Sequence, residues 1–210
     1  MLLTTVEWIC VALGFFAALT LVYLGRRALV SLWPPPAVAS HFSPKGGCTD
    51  RIVRELAAAR HEILVLAYSF TSNAISKALV EAKTRGVHVE IVLDHSNETE
   101  DHTDLPFLLE QGLAPLIDPA HAIAHNKVMI IDHRTLITGS FNFTRQAEIE
   151  NAENLLILKG YSELVSAYRT DFSNHKSHAR KPEIKKGQTS HQHRGEGAAH
   201  AKGDGERRVA

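Results

Sequence analysis

The sequence predicts an α/β fold: a mixed, mostly parallel β-sheet flanked by helices, with an apolar helix at the N-terminus and a disordered tail at the C-terminus. Three observations predict it. Short apolar, β-branched runs alternate with helix-length stretches between about residues 49 and 173. Ahead of them, Trp8 to Leu24 is seventeen residues without a charge. Beyond about Ala179 no apolar periodicity remains, and Gly, His, Lys and Glu dominate.

The charge-free run is near the short limit for a membrane-spanning helix. Trp8 and Tyr23 would lie near the two interfaces, and Arg26 and Arg27 follow directly. A cleavable signal peptide is the alternative, since Ala37-Val38-Ala39 has the small-x-small form of a cleavage site. That site lies far past the run, behind Pro34-Pro35-Pro36, and the first seven residues carry no Lys or Arg. A retained single anchor over residues 1–30 is therefore expected. A buried core helix is disfavoured because no polar face marks an outer side.

Residues 31–47 read as a linker, with three prolines as a stiff spacer and Ser43-Pro44 and Gly46-Gly47 as turn formers. A catalytic domain is expected over 48–176. Thr49 or Asp50 can cap a helix running to about Arg60. Ile63 to Ala67 fits a strand buried on both faces. Ser72 can cap a second helix, stopped at Gly86. Val87 to Leu93 alternates as a strand, a short helix covers Leu105 to Gln111, and Leu116-Ile117 is a weak strand. Val128 to Ile131 and Thr135 to Thr138 form two strands around a turn at His133-Arg134. Leu155 to Leu158 is a further strand, and Ser162 to about Ser173 a closing helix. Residues 177–210 complete the chain as a basic, His-rich, disordered tail.

Composition alone bounds little. Lys+Arg and Asp+Glu both number 23 in 210 residues, so net charge points to no partner. The distribution says more: Lys176, Arg180, Lys181, Lys185, Lys186 and Arg194 stand against Glu183 alone between Asn174 and Arg194. Such a stretch suits nucleic acid or anionic lipid, and equally a solvated tail. The two cysteines, Cys10 and Cys48, give no disulfide framework. Thirteen histidines include no HExxH and no Cys/His pairing at finger spacing, so no metal and no other cofactor is expected. His88, His95, His102 and His133 read as ordinary loop or core histidines. His121 and His125 are at a metal spacing only if helical, and the strand that follows argues against that.

The chemistry concentrates in His125-Asn126-Lys127-Val128-Met129-Ile130-Ile131-Asp132 and Gly139-Ser140-Phe141-Asn142. On a strand, His125 and Lys127 point to one face. An imidazole beside an ammonium makes a poor core and a good phosphodiester site. The ammonium holds anionic oxygens, and the imidazole is a nucleophile or proton carrier near neutral pH. Ser140 and Asn142, on a tight turn at a strand end, can donate to phosphate oxygens. Glu153 is a candidate to fix the histidine tautomer. Taken singly, each of these residues would be unremarkable; their joint spacing carries the reading.

At these residues the chain resembles the phospholipase D superfamily, whose signature is H-x-K, four residues, D, six residues, G-S-x-N. Every element is present at that spacing. The resemblance runs from about Phe42 to His175 and is nearest the small single-motif bacterial nucleases, through Ala67 to Thr71, Lys77 to Lys83, Ala124 to Asp132, Gly139 to Arg145 and Asn151 to Leu156. It implies that His125 forms a phosphohistidine, that Lys127, Ser140 and Asn142 bind phosphate, and that Glu153 hydrogen-bonds the nucleophile. It implies a structural Asp132 paired with a basic group, beside Gly139 as part of the motif. The chain carries one H-x-K, so the resemblance also implies a homodimer sharing one site on its two-fold axis.

A nonspecific endonuclease on DNA or RNA is the first expectation. A membrane-anchored phospholipase D acting on phospholipid head groups is the second, favoured by the anchor. An inactive scaffold is disfavoured by intact His125, Lys127, Asn142 and Glu153. The expected location is the bacterial inner membrane, or the periplasm or exterior if the N-terminal segment is cleaved.

Overall fold

The computed structural model describes residues 4–32, 35–100 and 102–183. Helix α1 (Thr5–Leu32) begins at a capping box: the Thr4 amide and hydroxyl donate to the Glu7 carboxylate, and the Glu7 amide returns to the Thr4 hydroxyl at 3.4 Å. From Thr5 to Ala28 the helix is long and apolar enough to cross a membrane. Its 24 residues span about 36 Å at ~1.5 Å each, against ~30 Å of hydrocarbon. Its described side chains up to Ala28 are all exposed.

The rest is a seven-stranded sheet between helices. The elements are β1 (Ala37–Ser43), α2 (Cys48–Ala58), β2 (Glu62–Ala67), α3 (Asn73–Thr84), β3 (His88–Asp94), a 3-10 turn (His95–Glu98), α4 (Leu105–Glu110), β4 (Leu116–Asp118), β5 (Lys127–Ile131), β6 (Thr135–Gly139), α5 (Arg145–Ile149), β7 (Glu153–Lys159) and α6 (Ser162–His178). The strand order is β1-β7-β6-β5-β2-β3-β4.

Alternation along the central strands builds two cores. Ile63, Val65 and Ala67 of β2, Met129 and Ile131 of β5 and Ile137 of β6 face α2 and α3, whose Ile52, Leu56, Ile75 and Leu79 they meet. Leu64, Leu66, Val128, Ile130 and Leu136 face the other way, onto Val165 and Phe172 of α6. Both faces of β2 and β5 are thus covered, which is why their sequences run apolar without a break.

Four expectations need correction. The sheet is mixed, but antiparallel pairs outnumber parallel ones: only β2-β3 and β3-β4 are parallel. The β5-β6 link is a tight turn with no room for a crossover, and β1 adds an unforeseen antiparallel edge against β7. That edge strand also overturns the linker reading of 31–47, since Ala37–Ser43 is paired sheet and the domain starts ahead of Cys48. Helix α2 is capped neither by Thr49 nor by Asp50. Its N-cap is Gly47 in the left-handed region, and the Glu148 carboxylate accepts from the Gly47 and Thr49 amides at 2.9 and 2.8 Å. Finally, the tail does not start at 177. Helix α6 runs to His178, Arg180 exchanges both backbone hydrogen bonds with Ile117, and its guanidinium grips Glu98 with two bonds of 2.8 and 2.7 Å. The remainder of the expected tail, residues 184–210, lies outside the described residues.

Candidate active site

Strand register gathers the motif residues at one end of the sheet. The parallel strands β2, β3 and β4 all end there, where α/β sheets offer a ligand crevice. Strand β5 runs antiparallel to β2, so its first residue, Lys127, pairs with Ala67, the last of β2. Strand β6 ends there at Gly139, opposite Leu155 near the start of β7. His125 and Lys127 at the entry of β5, Ser140 and Asn142 past the exit of β6, and Glu153 at the head of β7 therefore share one rim.

The pair at β5 is asymmetric. His125 is exposed and Lys127 is buried. The Lys127 ammonium donates to the His125 carbonyl at 3.0 Å and lies 5.0 Å from the centre of the Tyr68 ring. That same ring packs on the His125 imidazole, with centroids 4.6 Å apart. Burial pushes the Lys127 ammonium below its ordinary range, and the negative charge of Glu153 works against that. Asn126, between them, points to the opposite face, toward α6, where its amide nitrogen is 3.2 Å from His175 Nε2. Tyr68 carries no motif spacing; only its position directly after β2, hydrogen-bonded through its amide to the Asn126 carbonyl, brings it to the site.

Across the rim, Ser140 is exposed and its hydroxyl accepts from the Asn154 amide at 3.0 Å. Gly139 is fixed by contact: a Cβ there would stand 2.3 Å from the Asn154 carbonyl oxygen, at a φ of 150° that disfavours side chains. Asn142 is half-buried and its Oδ1 is buried without a hydrogen-bond partner. A buried acceptor oxygen left without a donor at a rim of polar groups is a feature that functional sites use. Glu153 accepts from Asn151 Nδ2 at 3.1 Å, and among the described residues no hydrogen bond joins it to His125 within one chain.

Asp132 is structural, though not by pairing with a basic group. It sits with His133 in a turn at left-handed φ values of 52° and 55°, closed by the Arg134 amide on Ile131, one residue earlier than expected. Its carboxylate accepts from the backbone amides of Arg60, His61 and Glu62 at 2.8 to 3.0 Å, tying the start of β2 to the end of β5. Burial alone would raise this carboxyl, but the three amides outweigh it and hold it below the usual carboxylate range. Asp132→Ala therefore costs about 2 kcal/mol, a typical loss for bonds to a charged acceptor that water partly replaces. Asp132→Asn costs less, because Asn keeps an acceptor and tolerates the left-handed backbone. The folded carboxyl titrates below the unfolded one, so the contribution is present above about pH 3.9 and is lost as pH falls through the folded value. Urea unfolding of both variants at neutral and acid pH checks this, the gap to wild type closing in acid.

Among the described residues one group of potential metal ligands converges, each offering an atom within 4.8 Å of the others: Asp118, His121, His175 and His178. None belongs to the motif. Sequence spacing did not reveal the group, because its two halves lie more than fifty residues apart.

Residues 52–176 match the family described as cardiolipin synthase, PLD-like domain. A protein from Rickettsia bellii named phospholipase D is 39% identical over 140 residues, 67% of this chain and 69% of that one. A mitochondrial cardiolipin hydrolase of Chlamydomonas reinhardtii is 31% identical over 123 residues, 59% of this chain and 55% of that one. Among solved structures, Nuc of Salmonella typhimurium, a phospholipase D family member, superposes with a TM-score of 0.67 at 34% identity, covering 70% of this chain and 98% of its own.

Proposed function

From the premise that this chain belongs to the phospholipase D superfamily and is a hydrolase of it, we propose that it is a metal-independent phosphodiesterase working through a phosphohistidine on His125, with DNA or RNA as substrate. The observation that carries the mechanism is the pair at the head of β5: an exposed imidazole beside a buried ammonium. An imidazole nitrogen of His125 attacks phosphorus and the ester oxygen leaves with a proton from a second acid. Water then attacks phosphorus, giving its proton to the group that acted as acid in the first step, and the P–N bond breaks to free His125 and the phosphate monoester. Lys127, Ser140 and Asn142 hold the equatorial oxygens, where charge grows in the transition state. Lys127 thereby does what a divalent ion does in other phosphodiesterases.

One H-x-K supplies one histidine, so the second acid is the partner's His125, brought in by a two-fold axis through the site. Glu153, with its carboxylate at the same rim, orients the imidazole in that assembly.

Nucleic acid is favoured by the basic stretch at the end of the domain. His175, in the last turn of α6, touches Asn126 in the segment that carries His125, and in sequence the stretch continues through Lys181, Lys185, Lys186 and Arg194. An exposed His125 and Ser140 also suit a polymer backbone entering from the side. A second reading, hydrolysis of phospholipid head groups, is favoured by α1, which as a retained anchor in the inner membrane would hold the site near lipid.

The test is the full chain in detergent with excess EDTA, assayed in parallel on plasmid DNA, RNA and vesicles of anionic phospholipid. Nucleic-acid cleavage with intact lipid is expected. Lipid hydrolysis with intact plasmid and RNA overturns the nuclease assignment in favour of the second reading. Activity lost in EDTA and restored by magnesium overturns the mechanism.

A further inference from the structure

On the α6 side of the sheet, four side chains converge from two distant segments. Asp118 ends β4 and is fully buried. His121 lies three residues on, in the loop leading to His125. His175 and His178 are three apart in the last turn of α6. One ligand atom from each lies within 4.8 Å of all the others. The Asp118 carboxylate is the hub: its Oδ2 is 3.1 Å from His121 Nδ1 and 2.6 Å from His175 Nδ1, and its Oδ1 is 3.0 Å from His178 Nδ1. The ring centroids stand 4.9, 5.4 and 5.8 Å apart.

We propose that these four residues bind a divalent transition-metal ion of the zinc type, as a structural site separate from the catalytic rim. Three imidazoles and one carboxylate are a donor set that zinc takes in tetrahedral geometry, with bonds of about 2.0–2.2 Å. Such bonds set neighbouring donors about 3.3 Å apart, so the Asp118 contacts, now 2.6 to 3.1 Å, open by about 0.2 to 0.7 Å when an ion enters. One ion meets a carboxylate oxygen and all three Nδ1 atoms at once. Burial of Asp118 and His175 gives the site a dry base, and exposure of His121 and His178 gives the ion a way in.

The surroundings are those of a ligand shell. The Ala120 amide donates to Asp118 Oδ1 at 2.9 Å. His175 Nε2 is 3.2 Å from the Asn126 side-chain amide and 3.8 Å from Asp171; ligation through Nδ1 puts a proton on Nε2, so the Asn126 amide turns over to present its oxygen to that N–H. Through Asn126 the ion would brace the loop between β4 and β5, which delivers His125 and Lys127, against the end of α6. Its role is in stability, so it is compatible with turnover in EDTA at moderate temperature.

Cobalt and zinc binding to the EDTA-stripped full chain in detergent tests the proposal. One tight equivalent of cobalt is expected, with the intense visible absorption of a four-coordinate ion and displacement by zinc, and zinc should raise Tm. The equivalent should vanish in His178→Ala and in His121→Ala, whose exposed side chains can be truncated with the fold kept. It should persist in His191→Ala/His193→Ala, which removes competing histidines of the tail. No tight equivalent, or one that survives both cluster variants, overturns the proposal and leaves Asp118 as the centre of a hydrogen-bond network alone.

Discussion

His125→Ala abolishes turnover, lowering it by at least about 10³-fold, while leaving the Tm of the domain unchanged within error. The two halves of this expectation have separate physical grounds. Loss of the nucleophile removes the covalent route, and a factor of 10³ is about 4 kcal/mol of transition-state stabilisation. Stability survives because His125 is exposed and touches the domain chiefly through the Tyr68 ring, and exposed substitutions of this kind stay within about 0.5 kcal/mol. Steady-state kinetics and thermal unfolding on the same preparation check both. Turnover near wild type would move the nucleophile elsewhere.

Co-refolding wild type with an equal amount of His125→Ala leaves about one quarter of the wild-type activity, the share of all-wild-type dimers under random isologous pairing. The expectation follows from the proposed division of labour, in which each turnover uses one His125 as nucleophile and the partner's His125 as acid. Two independent sites would leave about one half instead. A single chain offers little to replace the second acid: His121 is turned to Asp118, and Glu153 is engaged by Asn151. Sedimentation gives the complementary reading, since a monomer with full activity would remove the shared site altogether.

The central strands were legible because burial on both faces leaves an unbroken apolar run, as in Ile63 to Ala67 and Val128 to Ile131. The motif was legible because its residues are close in sequence, and register then sets Lys127 and Gly139 at one rim. What stayed hidden depends on distant partners. Strand β1 is an edge of mostly exposed residues between Pro-rich and Gly-rich flanks, so nothing local marks it. Helix α6 continues past Ser173 on polar residues held by an ion pair, Lys176 to Glu90 at 2.6 Å, and by the contact of His175 with Asp118, in place of an apolar stripe. Helix α5 is five residues long, started by the Thr144 hydroxyl accepting from the Ala147 amide. Its Glu148 caps α2, about a hundred residues earlier, a contact that no local pattern announces.

The covalent intermediate is the most direct test of the account. Acid-labile phosphohistidine is also base-stable, so rapid denaturation during turnover followed by peptide mapping by mass spectrometry reads it by site. A phosphoryl or phosphodiester adduct is expected on the peptide containing His125 in wild type and absent from His125→Ala. Turnover without an adduct on that peptide, or an adduct on another residue, would contradict it.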